Sequence, residues 1–167
     1  MEEMKLLGLV LTNDLKWHAN TEAMVKKAYS KLWMIRRLEK HGANLIDLKE
    51  VFLKQIRSIL EFGVPVWNTG LTKGEAVEIE RVQKAFLHIA LGAEYKGYRE
   101  SLVEADLETL ESRRVQLCST FARKSAKHSK HENWFKLNKG GPDTRSAKAV
   151  YKVALHRLAR YRDSPIP

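Results

Sequence analysis

The side chains with the clearest chemical potential lie on one predicted helix and combine cations with an indole. Four of them recur at three-, four- and seven-residue spacing: Lys26, Trp33, Arg37 and Lys40. This spacing places them on one helical face, and Arg36 lies beside it. Ammonium and guanidinium groups bind backbone phosphates, and an indole stacks on a base or a sugar. The pattern indicates a nucleic-acid-binding surface, and it is equally typical of a solvated face on which Trp33 packs against a neighbour.

Side chains that could support catalysis or bind a metal do not form a recognisable site in the sequence. Cys118, His128 and His131 would make a zinc site only with a fourth ligand, and Cys118 has no second cysteine near it. The sequence also lacks an accessible Cys–His pair, adjacent aspartates for two-metal chemistry and a glycine-rich phosphate loop. We therefore expect no catalytic centre, no metal and no cofactor in this chain.

The distribution of charge separates the last third of the chain from the rest. The 167 residues carry a formal net charge of +10. Residues 1–111 hold 16 Lys and Arg against 17 Asp and Glu, whereas residues 112–167 hold 14 against 3. The basic third could attract a polyanion by itself, or it could be a solvated tail without a specific partner. In this tail we take Arg157, Arg160 and Arg162 as further nucleic-acid-binding candidates.

Composition limits the classes of protein to which the chain could belong. With 44% hydrophobic residues it can form a core, and no apolar run approaches the roughly 18 residues that a membrane span requires. The first residues, MEEMKLLGLV, include two glutamates where a secretory signal would be positive, and one cysteine allows no internal disulfide. We expect an intracellular protein, nuclear or cytoplasmic, that is neither secreted nor bound to a membrane.

The elements that would position the candidate residues follow from hydrophobic periodicity and from capping signals. A short apolar run at residues 6–11 predicts one N-terminal strand, and no later segment is a clear strand to pair with it. Helices are predicted over residues 20–40, 45–62, 72–91 and 98–105, with another long helix from residue 109 or 110. Gly42 is placed to end the first helix, Asn44 to cap the second and Thr72 to begin the third.

One residue interrupts the predicted apolar stripe of the second helix. The stripe consists of Leu48, Val51, Phe52, Ile59 and Phe62. Gln55 falls among these positions, and a buried amide without partners would cost about 1–3 kcal/mol.

The patterns together predict an all-α protein of four to five helices packed as a small bundle, with one short N-terminal strand and a basic C-terminal tail. We divide the chain into a strand and turn at residues 1–19, a helical domain at 20–135 and the tail at 136–167. A glycine- and proline-rich break near residues 138–143 supports the second boundary. A basic amphipathic helix is predicted over residues 144–161.

Several short segments occur in an order that resembles a known family. They are Leu7-Gly8 with Leu15-Lys16-Trp17, Arg36-Arg37-Leu38, IRSILEFGVPVWN at residues 56–68, IERVQK at 79–84 and LETLESRR at 107–114. In this order they resemble the C-terminal part of non-LTR retrotransposon reverse transcriptases. The resemblance covers about residues 5–120, and the end of the chain, including SPIP, is similar to a further short motif of the family.

The resemblance implies a position within a larger enzyme. Residues 1–19 would be the remnant of the polymerase palm, and residues 20–135 would be the thumb and connection beyond it. The catalytic aspartates of the family lie in the palm, so this chain would have no catalytic activity of its own. Thumb helices bind the template–primer from its backbone side, which implies an RNA–DNA or DNA duplex and the missing palm domain as partners.

Three departures from the family pattern leave other interpretations open. Gln55 stands where an apolar residue is expected, and Asp106 and Glu108 stand where the family usually has glycine and proline in a turn. Such departures fit a functional variant, and they also fit a non-functional remnant of a degenerate element. A third interpretation is a helical module that binds another protein through Trp17, Trp67 and the apolar link at residues 64–68.

Overall fold

In the computed structural model, which describes residues 3–128 and 130, the N-terminal apolar run forms a β-hairpin. Strand β1 (Glu3–Leu6) pairs antiparallel with strand β2 (Leu9–Thr12). The prediction of one strand without a partner is therefore wrong. Leu7 and Gly8 divide the run, with φ of 47° and 89°, the positive values that a type I′ turn requires. Leucine rarely adopts this conformation, so the sequence does not signal the turn.

The turn residue Leu7 provides a test of backbone strain. Its side chain is 87% exposed, and its left-handed backbone costs a leucine about 1–2 kcal/mol. We expect Leu7→Asn to raise the free energy of unfolding by about 1 kcal/mol, because asparagine tolerates this conformation and little packing is lost. Urea denaturation measures the change. The control Val103→Asn, at an 81% exposed helical position, should shift stability by less than about 0.5 kcal/mol. A Leu7→Asn variant no more stable than the wild type would contradict the prediction.

Five helices follow the hairpin in the part of the chain that the structure describes. They are α1 (His18–Lys40), α2 (residues 45–60), α3 (Lys73–Leu91), α4 (Tyr98–Glu104) and α5 (Leu110–Ala126). A single helical turn, Val64–Trp67, lies in the segment that links α2 to α3. The predicted all-α class, with four to five helices and a short N-terminal β segment, is confirmed. Within residues 3–128 and 130, none of these helices combines the length and apolar character that crossing a membrane demands.

The predicted helix ends are confirmed where a local signal sets them. Gly42 follows α1 with φ of 82°, the left-handed conformation that ends a helix. The side chain of Asn44 caps α2 by accepting a hydrogen bond of 2.9 Å from the backbone N–H of Asp47. Thr72 and Glu75 form a reciprocal capping box at the start of α3. Each of these signals acts within a few residues, so neighbouring sequence determines it.

Helix α2 departs from the predicted register. It has three parts: Leu45–Val51, the π-helical segment Phe52–Arg57, and Ser58–Leu60. Its buried side chains recur every fourth residue: Leu48, Phe52, Ile56 and Leu60. A π-helix has more residues per turn than an α-helix, so side chains four residues apart stay on one face of it. In an ordinary α-helix the same side chains would shift gradually around the axis. Gln55 is consequently exposed and Phe62 is 54% exposed, so the expected cost of a buried amide does not arise.

The core of the helical part lies between α1, α2 and α3. Ala28, Leu32 and Ile35 form an apolar stripe along α1, and all three are buried. The rings of Phe52 in α2 and Phe86 in α3 stack with centroids 4.2 Å apart. Because α1 packs on both other helices along this side, its opposite face is left to solvent.

The chain divides into two units, Met1–Arg114 and Val115–Pro167. The hairpin and helices α1 to α4 belong to the first unit, and the division falls within α5. The domain boundaries inferred from the sequence after residues 19 and 135 stay predictions. The predicted helix over residues 144–161 lies outside the described residues.

Candidate nucleic-acid interface

The start of α1 is fixed by the hairpin and the turn that follows it. The side chain of Asn20 accepts a hydrogen bond of 3.1 Å from the backbone N–H of Val10. In the turn, the carboxylate of Asp14 accepts from the Thr12 hydroxyl at 2.6 Å and from the Lys16 backbone N–H at 3.2 Å. These hydrogen bonds, that from Thr12 first, lower the pKa of Asp14 to about 2. The hairpin and α1 are therefore joined by specific polar contacts within one unit.

The outer face of α1 carries the four residues predicted from spacing, and all of them are exposed. We call Lys26, Trp33, Arg37 and Lys40 the α1 face. At 100° per residue they lie within about 60° of one another around the helix axis, and they extend over about 21 Å. Trp33 is 56% exposed, so its indole is not packed into the core. The structure thus brings together the side chains that the sequence singled out.

The cations of the α1 face are available for an external anion. Among residues 3–128 and 130, no ion pair involves Lys26, Arg36, Arg37 or Lys40. Arg36 is exposed beside the face, as predicted. Glu22 is the one acid of α1 on this side, and it lies one turn before Lys26. The net charge along this side is therefore positive.

Two polar residues of the same side were missed by the sequence analysis. Tyr29 is 40% exposed, and partial burial together with the nearby Glu78 carboxylate raises the pKa of its phenol. Ser30 is exposed, and its hydroxyl donates to the Lys27 carbonyl at 2.7 Å. Both lie three or four residues from Lys26 and Trp33, so the helical period could have identified them. They add neutral hydrogen-bonding groups to a cationic surface.

Some of the other candidate residues lie outside the described part of the chain, and some lie within it. Arg157, Arg160 and Arg162 lie outside the described residues, as does His131. Within residues 3–128 and 130, no group of three or more His, Cys, Asp or Glu side chains could hold a metal ion. Cys118 is buried.

A cleft lies between the hairpin, α1 and α2. Its volume is about 600 Å³, and its walls are mainly apolar, including Leu9, Met24 and Phe62. Lys5 and Lys27 lie on its lining. No local sequence pattern indicates this cleft, because its walls come from three elements that meet only in the folded chain.

Three of the segments that carry the family resemblance, at residues 56–68, 79–84 and 107–114, contribute interior contacts. Glu61 accepts from Arg113 Nε at 3.0 Å, and Asn68 Oδ1 accepts from Arg114 Nε at 3.1 Å. The two arginines therefore contact more distant parts of the chain. Glu80 accepts from the Tyr98 hydroxyl and from the Leu110 backbone N–H. Glu80 thus faces inward, whereas Glu78 pairs with Arg81 at the surface.

Residues 105–109, between α4 and α5, include two of the departures from the family pattern, Asp106 and Glu108. Asp106 has φ of 48°, a left-handed conformation that glycine adopts freely and that aspartate tolerates. Lys49 Nζ donates to the Asp106 backbone carbonyl at 2.8 Å and to its carboxylate at 2.9 Å. The backbone carbonyl of Glu108 accepts from Gln83 at 2.8 Å. The departure at Asp106 is therefore accommodated by its contacts with Lys49, whereas the contact of Glu108 is made by its backbone and does not depend on its side chain.

Comparison with protein-family models, curated proteins and solved structures finds no match to this chain. The support for a function comes from the chain's own residues, and the α1 face is the surface whose chemistry is most specific.

Proposed function

We propose that this chain binds the backbone of a template–primer duplex, RNA–DNA or DNA, as the thumb part of a non-LTR retrotransposon reverse transcriptase. The observation that carries the proposal is the α1 face, where three exposed cations, without ion pairs to any other described residue, flank an exposed indole. In this proposal the palm domain, encoded outside the chain, supplies the catalytic aspartates. The chain itself needs no metal and catalyses no reaction. It acts inside the cell, in the nucleus or cytoplasm.

The proposed contact is electrostatic and independent of sequence. Lys26, Arg37 and Lys40 bind phosphate oxygens along one strand, while Trp33 stacks on a sugar or an exposed base. Each neutralised phosphate releases condensed counterions, so affinity falls steeply as salt rises. A polymerase thumb needs this kind of contact, because it must hold every template sequence equally well.

The test is a binding titration of the full chain with an RNA–DNA hybrid at several salt concentrations. We expect Arg37→Ala/Lys40→Ala to weaken binding for all duplex sequences alike and to reduce the slope of log K against log salt by about 2. The matched control is Lys84→Ala/Arg99→Ala, which removes the same charge from exposed positions outside α1. Because the tail is also basic, only a loss greater than that of the control supports the α1 face.

Three outcomes would contradict the proposal. The wild type could fail to bind the hybrid, its affinity could be independent of salt, or the two double variants could lose equal affinity. Trp33→Ala adds an independent measurement, since loss of one stacked base costs about 1–3 kcal/mol. For the retroelement origin, the reading frame upstream of Met1 should encode a palm with paired aspartates. A different upstream domain would count against it.

Exposed apolar side chains at the hairpin end of the molecule favour one alternative, a helical module that binds another protein. Leu6 is 50% exposed and Leu7 87% exposed, and Phe62 lies beside Gly8 at 54% exposure. Exposed apolar groups in one region are typical of protein–protein contacts. The missing palm domain is one such partner. In this alternative, hybrid binding would be absent or unaffected by changes on the α1 face.

A further inference from the structure

Among the residues that the structure describes, no strand pairs with the outer edge of β1. The sheet has two strands among residues 3–128 and 130, and β2 alone pairs with β1. The backbone N–H of Val10 bonds to Asn20, so it points away from β1, and its partner in the register is Lys5. Since antiparallel residues alternate in the direction of their backbone groups, the N–H and C=O of Lys5 also point away from the hairpin. The same groups of Glu3, two residues earlier, have the same direction.

Two side chains of opposite charge lie at equal distances from the middle of this edge. Glu3 and Lys5 lie on one face of the strand, on either side of Met4, which lies on the other face. Both charged residues are exposed, and within the described part of the chain neither makes an ion pair. An edge with a negative and a positive side chain at equal distances from a centre is complementary to itself when it is turned by 180°.

We propose that β1 pairs antiparallel with β1 of a second copy of this chain, around a two-fold axis through Met4. In this register Glu3 lies opposite Lys5 of the second copy, and Lys5 lies opposite Glu3. These are the residues whose backbone groups point outward, so they exchange hydrogen bonds in pairs. Oppositely charged side chains that lie opposite each other in a sheet attract, which fixes the register.

The apolar face of the hairpin supports the same partner. Met4 is 59% exposed and Leu6 50% exposed, and they share this face with Leu9 and Leu11 of β2. Pairing of the two hairpins would place Met4 against Met4 of the second copy. The apolar faces of the two hairpins would then form one continuous face of a four-stranded sheet. A two-stranded ribbon is marginal by itself, and added strands with a common apolar face stabilise it. An open edge with apolar neighbours would otherwise favour uncontrolled aggregation.

Charge exchange between two variants tests the proposal in the full chain. In Lys5→Glu both charged positions are negative, and in Glu3→Lys both are positive, so each variant places like charges opposite each other. Sedimentation equilibrium of nuclease-treated protein should show wild type heavier than its 19.2 kDa monomer, rising towards twice that mass with concentration. Each single variant should stay monomeric. An equimolar mixture of the two should associate, and the double variant Glu3→Lys/Lys5→Glu should dimerise as the wild type does.

Two controls separate this dimer from other effects. Lys96→Glu changes the charge equally at an exposed site outside the hairpin and should dimerise normally. Arg37→Ala/Lys40→Ala should also dimerise normally, because the proposed nucleic-acid contact lies on α1. A wild type that stays monomeric at every concentration would overturn the proposal. It would equally be overturned by single variants that dimerise, or by a mixture that stays monomeric, since either result would place any dimer contact elsewhere.

Discussion

Replacing Trp67 by alanine is expected to lower the free energy of unfolding by about 4 kcal/mol, the largest loss that we predict for a single side chain. Trp67 is completely buried and is among the largest buried side chains of the described residues. Its Nε1–H donates a hydrogen bond of 2.8 Å to the carbonyl of Phe62, just beyond the end of α2. The substitution therefore removes a large apolar volume and also leaves this carbonyl without its donor. Urea denaturation followed by circular dichroism measures the change.

The controls for Trp67 separate its volume from its hydrogen bond. Trp67→Phe keeps most of the volume and should be intermediate between alanine and tryptophan in stability. Trp33→Ala makes the matched change at a 56% exposed position and should cost much less than Trp67→Ala. A Trp67→Ala variant within about 1 kcal/mol of the wild type would show that this turn does not stabilise the fold.

The second large effect is expected at Glu80, where a substitution to alanine should cost about 3 kcal/mol. Its Oε1 accepts from the Tyr98 hydroxyl and, at 3.0 Å, from the backbone N–H of Leu110. One carboxylate thus connects α3 to α4 and to the first turn of α5. Gln83 adds a second connection, donating to Tyr98 at 3.2 Å and to the Glu108 carbonyl at 2.8 Å. Without Glu80, two donors in a partly buried region lose their acceptor.

The control for Glu80→Ala is Glu78→Ala, which removes an acid from the same helix. Glu78 is about half exposed and pairs with Arg81 at the surface, so we expect a loss below about 1 kcal/mol. The stabilities of the two variants are compared from their denaturation midpoints, provided that the free energy of unfolding depends on denaturant concentration with the same slope in both. Equal losses would contradict the assignment of a connecting role to Glu80.

Alkaline pH gives an independent readout of the same contact. Burial, and then the Glu80 carboxylate, raise the pKa of Tyr98 well above the usual tyrosine range. The neutral phenol is therefore favoured in the folded chain, and its contribution is complete below the pKa of an unfolded tyrosine. This contribution to stability is lost as the pH rises from the pKa of an unfolded tyrosine towards the raised pKa of Tyr98 in the folded chain. Tyr98→Phe should reduce this alkaline loss of stability, whereas the Glu78 control should retain it.

The interior role of these residues changes how the family resemblance bears on function. Glu61, Trp67, Asn68 and Glu80 belong to the segments that carry the resemblance, and each makes a contact within the first unit. These four residues therefore belong to the framework of the helices. The proposed contact with a duplex depends instead on the α1 face. Substitutions at Trp67 and Glu80 should change the free energy of unfolding, and substitutions on the α1 face should change the affinity for a duplex. The two sets of experiments are therefore independent.

Short-range signals account for most of what the sequence predicted correctly. The cap at Asn44, the capping box at Thr72 and the left-handed glycine after α1 each depend on atoms a few residues apart. The α1 face was predictable for a similar reason, since a long helix fixes the relative direction of its side chains from the helical period alone. Exposure of Trp33 was not predictable, because it depends on where α2 and α3 pack.

The amino-acid sequence by itself determined the helices, their ends and the grouping of cations on one side of α1, because backbone periodicity and capping are local properties. Only the tertiary structure decided the register of α2, where a π-helical segment turns Gln55 outward and Ile56 inward. It also decided that the N-terminal run forms a hairpin and that Gln83 is buried. The register of α2 and the burial of Gln83 depend on contacts between residues far apart in the chain, whose gain in packing outweighs the local preference of each segment. The hairpin pairs residues at most nine positions apart, but its turn places Leu7 in a conformation that leucine rarely adopts.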